Sequence, residues 1–210
     1  MDDEDFSGMW AALTARLLAV PAYATMFAEA YPNTPPQDLG FQHAANGLAA
    51  FITSAFTLID SPWDRYVAGN DLALTNEEKQ GALLFFGKGR CSECHSGNLL
   101  TDQQHHVLAM PQVGPGNNPE APGTDLGRGP ITNDSAADYA FRTPPLRNVA
   151  VTGPWTHAGA YTSLEAVVRH HLNPEQALRQ YDPGQLREDM QGSFNNDETY
   201  LSASLSNLDP

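Results

Sequence analysis

Gly89-Arg90-Cys91-Ser92-Glu93-Cys94-His95 sets two thiols three positions apart, with a histidine directly behind the second. This is C-x-x-C-H, the attachment pattern of c-type haem. Each thiol can add across one vinyl group of the porphyrin, and a helical turn then brings the adjacent imidazole under the iron as proximal ligand. The sequence holds two cysteines, Cys91 and Cys94, and this motif uses both. Other uses fit less well. A redox dithiol calls for a thioredoxin-like βαβ setting, which the flanking pattern lacks. A structural zinc bound by Cys91, Cys94 and His95 needs a fourth ligand from a distant histidine. A simple disulfide has no use for His95.

Immediately upstream, Thr75-Asn76-Glu77-Glu78 reads as a capping box opening a helix through Phe85 and Phe86. Gly87 and Gly89 end that helix, and Leu83 to Phe86 supply apolar surface of the kind a porphyrin needs. Farther back, residues 8 to 31 predict two short helices, with Ser7 as N-cap and Pro21 ending the first and starting the second. Trp10, Leu13, Leu17 and Leu18 recur at helical spacing and are candidate core. A longer apolar helix is expected over 38 to 60, in which His43 reads as a surface or capping residue, and Ser61-Pro62-Trp63 breaks it. Downstream, residues 96 to 141 are crowded with Gly and Pro, which leaves little room for a long element. A stretch of that length calls for a functional reason, and wrapping the edge of a large flat cofactor is one. Arg128, Arg142 and Arg147 are candidate partners for haem propionates, since a guanidinium meets a carboxylate bidentately.

The chain has 210 residues and a net charge of −14, with lysine at Lys79 and Lys88 alone. Such an acidic surface argues against nucleic acid and would steer a basic partner such as a small electron carrier, although an acidic proteome from a saline habitat has the same bias. No apolar run approaches membrane-spanning length. Covalent haem attachment takes place outside the bacterial inner membrane, so a periplasmic setting is expected. Met1-Asp2-Asp3-Glu4-Asp5 is the reverse of an export signal, and both ends of the sequence read as cut from a longer chain.

If His95 holds one face of the iron, candidates for the other are Met110, His105, His106, His157, His170 and His171. Thr162-Ser163-Leu164-Glu165 reads as a second capping box, and Asn173-Pro174 stops the helix that follows. Leu164, Val167, Val168 and His171 form its apolar stripe. That ordering favours His171 and sends His170 toward solvent beside Arg169.

Three stretches together resemble the C-terminal half of the bacterial dihaem cytochrome c peroxidases and their MauG-type relatives. They are Leu74 to Phe85, Asn98-Leu99-Leu100-Thr101-Asp102, and the run Phe141-Arg142-Thr143-Pro144-Pro145-Leu146-Arg147-Asn148-Val149 continuing through Pro154-Trp155-Thr156-His157-Ala158-Gly159. Residues 10 to 70 are similar to the helices that lead into that domain. The resemblance implies an all-α fold: a cytochrome c-like haem domain over 71–210, its last helix missing, with long irregular haem-wrapping loops and a helical extension over 1–70. It implies one covalent haem c, relaying electrons from a small donor protein (a cytochrome or cupredoxin) to a peroxide-reducing haem in a second domain of the same enzyme. It also allows a homodimer. A stand-alone monohaem carrier without catalysis is the alternative.

In such enzymes the distal ligand lies fourteen residues beyond the histidine matching His157, as methionine or tyrosine; here that position is His171. His157 itself would sit close to the haem without binding iron. A calcium ion would take backbone carbonyls of Thr152 and Pro154. With histidine as the distal ligand the iron should sit at lower potential than with methionine, and six-coordinate iron cannot bind peroxide without losing a ligand.

Overall fold

The computed structural model describes residues 3–56 and 59–209. It divides into two compact units, residues 1–74 and 75–210. In the first, α1 (Asp3–Leu18) and α2 (Pro21–Ala30) are joined by a sharp break, with Pro21 in the first turn of α2. Proline lacks only an N–H that a helix start leaves unpaired anyway. α1 begins ahead of Ser7, which therefore lies inside the helix. A 3₁₀ turn precedes α3 (Phe41–Phe56), and residues 57–58 of the expected longer helix fall outside the described residues. Trp10 stacks on Phe41 with centroids 4.1 Å apart, yet among the described side chains of α1 the buried one is Thr14. His43 caps the start of α3, its Nδ1 accepting the Gly40 N–H at 3.0 Å. Ser61 does more than break a helix: it forms a reciprocal capping box with Asp64 that opens α4 (Pro62–Val67). Leu48, Phe51, Ile52 and Phe56 leave an exposed apolar stripe along α3.

The second unit opens with α5 (Asn76–Phe85), where Thr75 and Glu78 complete the expected capping box. The segment expected to be irregular is pinned by strands of two and three residues. β1 (His105–Val107) pairs antiparallel with β3 (Ala140–Arg142), and β2 (Gln112–Val113) with β4 (Phe194–Asn195); α6 (Gly129–Thr132) lies between β2 and β3. The fold is therefore helical with small antiparallel pairs, which corrects the all-α expectation. Strands this short show no alternation for a pattern to reveal.

The C-terminal third follows as α7 (Leu164–Leu172), α8 (Pro174–Arg179), α9 (Glu188–Gln191) and α10 (Glu198–Ser206). Ser163 is the N-cap of α7, but its side chain makes no capping bond, so the second capping box does not form. One core cluster joins Val107, Ala109, Tyr139 and Ala140 to Leu178, Tyr200 and Leu201. A second gathers Ala160, Tyr161 and Tyr181, with Met110, Val167 and Phe194 packed against them. Tyr200 ties α10 to the loop after β1, its hydroxyl donating to the Met110 carbonyl at 2.6 Å from a buried position. Tyr200→Phe is expected to leave that carbonyl without its partner and to lower stability by about 1–3 kcal/mol, read as a lower urea midpoint with an unchanged slope.

Candidate haem site

The C-x-x-C-H motif lies on a 3₁₀ turn, Cys91–Glu93, capped by Cys94. The approach to it is tight. Gly89 donates its N–H to the Leu84 carbonyl at 2.8 Å, and a Cβ on Gly89 would fall 2.6 Å from that oxygen, so only glycine fits. Arg90, in the left-handed region, reaches over the turn and binds Glu93 through two bonds of 2.8 Å. The His95 N–H donates to the Cys91 carbonyl at 2.9 Å, which completes one turn from thiol to imidazole. Both thiols are free; Cys91 is exposed and Cys94 half-buried. Burial raises the pKa of Cys94, with Asp102, Asp209 and Glu93 adding to the rise.

The His95 ring is oriented by its Nδ1, which lies 3.1 Å from the Leu100 carbonyl. A carbonyl can only accept, so the proton is on Nδ1 and Nε2 carries the lone pair that a metal would take. Burial lowers the pKa of His95, while the Leu100 and Pro144 carbonyls oppose that shift. The loop carrying Leu100 is itself clamped by the Arg-Thr-Pro-Pro-Leu-Arg run. Thr101 Oγ1 donates to the Thr143 carbonyl at 2.7 Å, Thr143 N–H to Gln104 at 2.9 Å, and Arg147 Nε–H to Asn98 at 2.8 Å. The physical task of that run is to hold the carbonyl that holds His95.

His171 lies near enough to His95 that a charge on it depresses the pKa of His95. It uses the same device, with its Nδ1 2.8 Å from the Val167 carbonyl one turn back, so its Nε2 also keeps the lone pair. It is exposed, and it shares an open face of α7 with Val168, 55% exposed, and Leu172, 73% exposed. His170 is the buried one. Its Nε2 donates to the Leu108 carbonyl at 2.7 Å and its Nδ1 accepts from the Tyr161 hydroxyl at 2.9 Å, while burial holds its pKa near 4. The expectation that His170 points to solvent is thus corrected. It locks α7 to the core, because both ring nitrogens find partners there, and the Val168–His171 stripe is turned to the open side.

The remaining candidates are dispersed. Arg142 stands opposite His105 across the β1–β3 pair, and Arg128 Nη1 lies 3.4 Å from His105 Nε2. Partial burial and these two guanidiniums lower the pKa of His105. Among the described residues no carboxylate pairs with Arg128 or Arg142. The His157 ring stacks flat on Phe141, centroids 3.5 Å apart; packing lowers its pKa to about 4, and water reaching its open edge tempers that shift. Met110 packs against the Tyr161 cluster. Thr152 precedes the cis Gly153–Pro154 bond, to which Pro154 belongs, and among the described residues no group of three acidic, histidine or cysteine ligands gathers beside them.

The residues present fit a haem. Two free thiols and an oriented imidazole lie together, a second oriented imidazole, His171, is within electrostatic reach of His95, and apolar side chains beside the motif are exposed: Leu84 and Phe86 before it, Leu99 behind it. The comparisons with known proteins point the same way. A family model described as di-haem cytochrome c peroxidase matches residues 1–72. The methylamine utilization protein MauG of Methylorubrum extorquens is 37% identical over 161 residues, covering 75% of this chain and 41% of that protein. The chain belongs to the di-haem cytochrome c peroxidase and MauG family. The cytochrome c551 peroxidase of Pseudomonas aeruginosa is 33% identical, covering 71% of this chain and 42% of its own length. A crystal structure of a MauG-like protein associated with microbial copper homeostasis superposes with a TM-score of 0.59 at 29% identity, over 75% of this chain and 47% of that one. The chain thus spans about half the length of the relatives it matches. The family model falls on the helical first unit, whereas the C-x-x-C-H motif lies in the second.

The lock made by His170 is testable. His170→Leu is expected to strand the Tyr161 hydroxyl and the Leu108 carbonyl, costing about 2–5 kcal/mol. Adding Tyr161→Phe should recover part of that loss. A double-mutant cycle on urea stability that shows no coupling between the two sites would contradict the shared bond.

Proposed function

We propose that this chain carries one covalent haem c, linked to Cys91 and Cys94 and held axially by His95 and His171, and acts as the electron-transfer haem unit of a di-haem peroxidase-type enzyme. The observation that supports it most directly is the pair His95 and His171, within electrostatic reach of each other and each with its Nδ1 proton tied to a backbone carbonyl. A haem held there supplies a one-electron Fe(III)/Fe(II) couple. The polypeptide does the rest. The Leu100 and Val167 carbonyls hold the ring protons away from the metal side, which raises ligand basicity. Two imidazoles favour ferric iron more than an imidazole and a thioether do, so a low potential is expected. With both axial positions taken, peroxide has no place to bind on this unit, which suits a relay.

Arg128 and Arg142, both beside His105 and with no carboxylate paired to either among the described residues, are the proposed propionate partners; Arg147 serves the Asn98 loop and supports the site from outside. His157, stacked on Phe141, would line the haem pocket without binding iron. Calcium is the weaker reading, since Thr152 and Pro154 offer backbone oxygens alone. The net charge of −14 would steer a basic donor protein to the surface, at a rate that falls with salt. Among the described residues no single helix is long and apolar enough to cross a membrane. A periplasmic setting, where haem attachment and small donors occur together, is part of this proposal, as are a second haem domain and a homodimeric assembly.

The test is the spectrum of the matured protein. It should be low-spin ferric, with the haem staying on the chain after denaturation. His171→Ala should convert it to high-spin and allow cyanide to bind, whereas His171→Met should stay low-spin at a higher reduction potential. An unchanged low-spin spectrum in His171→Ala would remove His171 from the iron and make Met110 the next candidate.

A further inference from the structure

A second set of donor atoms gathers behind the haem motif. Cys94 Sγ, a carboxylate oxygen of Asp102 and a ring nitrogen of His106 all lie within 4.8 Å of one another, each on a half-buried residue. The loop geometry that brings them together is fixed by the Asp102 N–H, which donates to the Cys94 carbonyl at 2.7 Å. Asp102 is aimed through its Oδ1, which accepts the Gln104 N–H at 2.8 Å, so its Oδ2 faces His106 Nε2 at 2.9 Å. The other ring nitrogen, Nδ1, is 2.8 Å from Asp209 Oδ2. Asp209 is anchored in turn, its own N–H donating to the Val107 carbonyl at 3.1 Å. A carboxylate behind one imidazole nitrogen, with the opposite nitrogen facing a thiol and a second carboxylate, is the arrangement by which proteins orient a metal-binding histidine.

We propose that, before haem is attached, this chain binds one Zn²⁺ through Cys94 Sγ, Asp102 Oδ2 and His106 Nε2, with Asp209 orienting His106 and a water in the fourth position. Sulfur, nitrogen and oxygen donors with one open place suit a borderline divalent ion. Binding forms the zinc–sulfur, zinc–nitrogen and zinc–oxygen bonds and releases two protons to solvent: that of the Cys94 thiol, and the one shared between His106 Nε2 and Asp102. Nothing is oxidised or reduced. Once Cys94 becomes a thioether it carries no charge and is a poor zinc ligand. Zinc binding and haem attachment are then mutually exclusive at this sulfur, and zinc in the maturing compartment acts as a competitor of attachment. The competition rests on the proposed haem attachment at Cys94 but not on the electron-relay role, and zinc binding itself concerns the chain without haem.

The experiment uses the full chain made without haem attachment, kept reduced, and titrated with Co²⁺ as a spectroscopic probe and with Zn²⁺ against a chromophoric chelator. One equivalent should bind, with a thiolate-to-cobalt charge-transfer band in the near ultraviolet. Cys94→Ser should abolish that band, and His106→Gln and Asp102→Asn should each weaken zinc at least tenfold. Asp209→Asn should weaken it by about tenfold, the range of orienting partners. Cys91→Ser and His95→Gln should stay within about threefold of the wild type. Circular dichroism of each variant separates lost binding from lost folding. Loss in Cys91→Ser or His95→Gln equal to that in Cys94→Ser would put the metal on the C-x-x-C-H motif and overturn the proposal; so would full affinity in Cys94→Ser, or no binding by the folded wild type. The haem-loaded wild type needs no substitution and should not bind zinc there, so undiminished affinity would overturn the role of Cys94 even if a variant failed to fold.

Discussion

A histidine that binds a metal through Nε2 keeps its proton on Nδ1, and a hydrogen bond to that proton fixes the ring and its tautomer; the second unit supplies such a bond. For His95 the holder is the Leu100 carbonyl, which sits in a loop with its own left-handed residues at Leu100 and Gln103. Such a backbone persists only where its surroundings fix it. The surroundings are the bonds from Thr101, Gln104 and Asn98 to residues 143–147, and residues 140–142 are held against β1. The orientation of one imidazole therefore reaches through about fifty residues of intervening chain. His171 achieves the same end locally, because a helix always offers the carbonyl four residues back.

The motif and its immediate approach were legible in the sequence because local rules decide them. Thr75 and Glu78 could be read as a capping box, and Gly87 and Gly89 as the end of the helix it opens, from spacing alone; that Gly89 has no room for a side chain needed the structure. The second candidate box, at Thr162 to Glu165, shows the limit of such reading: the residues are right, but the Ser163 side chain makes no capping bond. Strand pairs of two and three residues could not be read at all, since β2 finds its partner some eighty residues later. The helices after α7 carried no motif, yet Tyr200 and Leu201 of α10 close the main core. The Cys94–Asp102–His106 grouping was also hidden, because His106 reads as one of several candidate axial ligands and nothing in the spacing joins it to Asp102 and Cys94.

Adjacent histidines on α7 explain why the stripe was half read. The pattern Leu164, Val167, Val168, His171 is apolar, but the face that packs on protein is the neighbouring one, through Ala166, Val167 and His170. A buried polar ring is tolerated only with its donor and acceptor both satisfied, and Tyr161 with Leu108 satisfies His170 on that side. The helix is thereby turned so that Val168, His171 and Leu172 face open space. Burying what Val168 and Leu172 leave exposed would be worth roughly 1–2 kcal/mol each, and no described side chain covers them. A porphyrin plane would, and it would also give the lone pair of His171 something to bind. On this reasoning the cofactor completes a core that the polypeptide leaves unfinished, and the two histidines divide the work: one fixes the helix, and the other is presented by it.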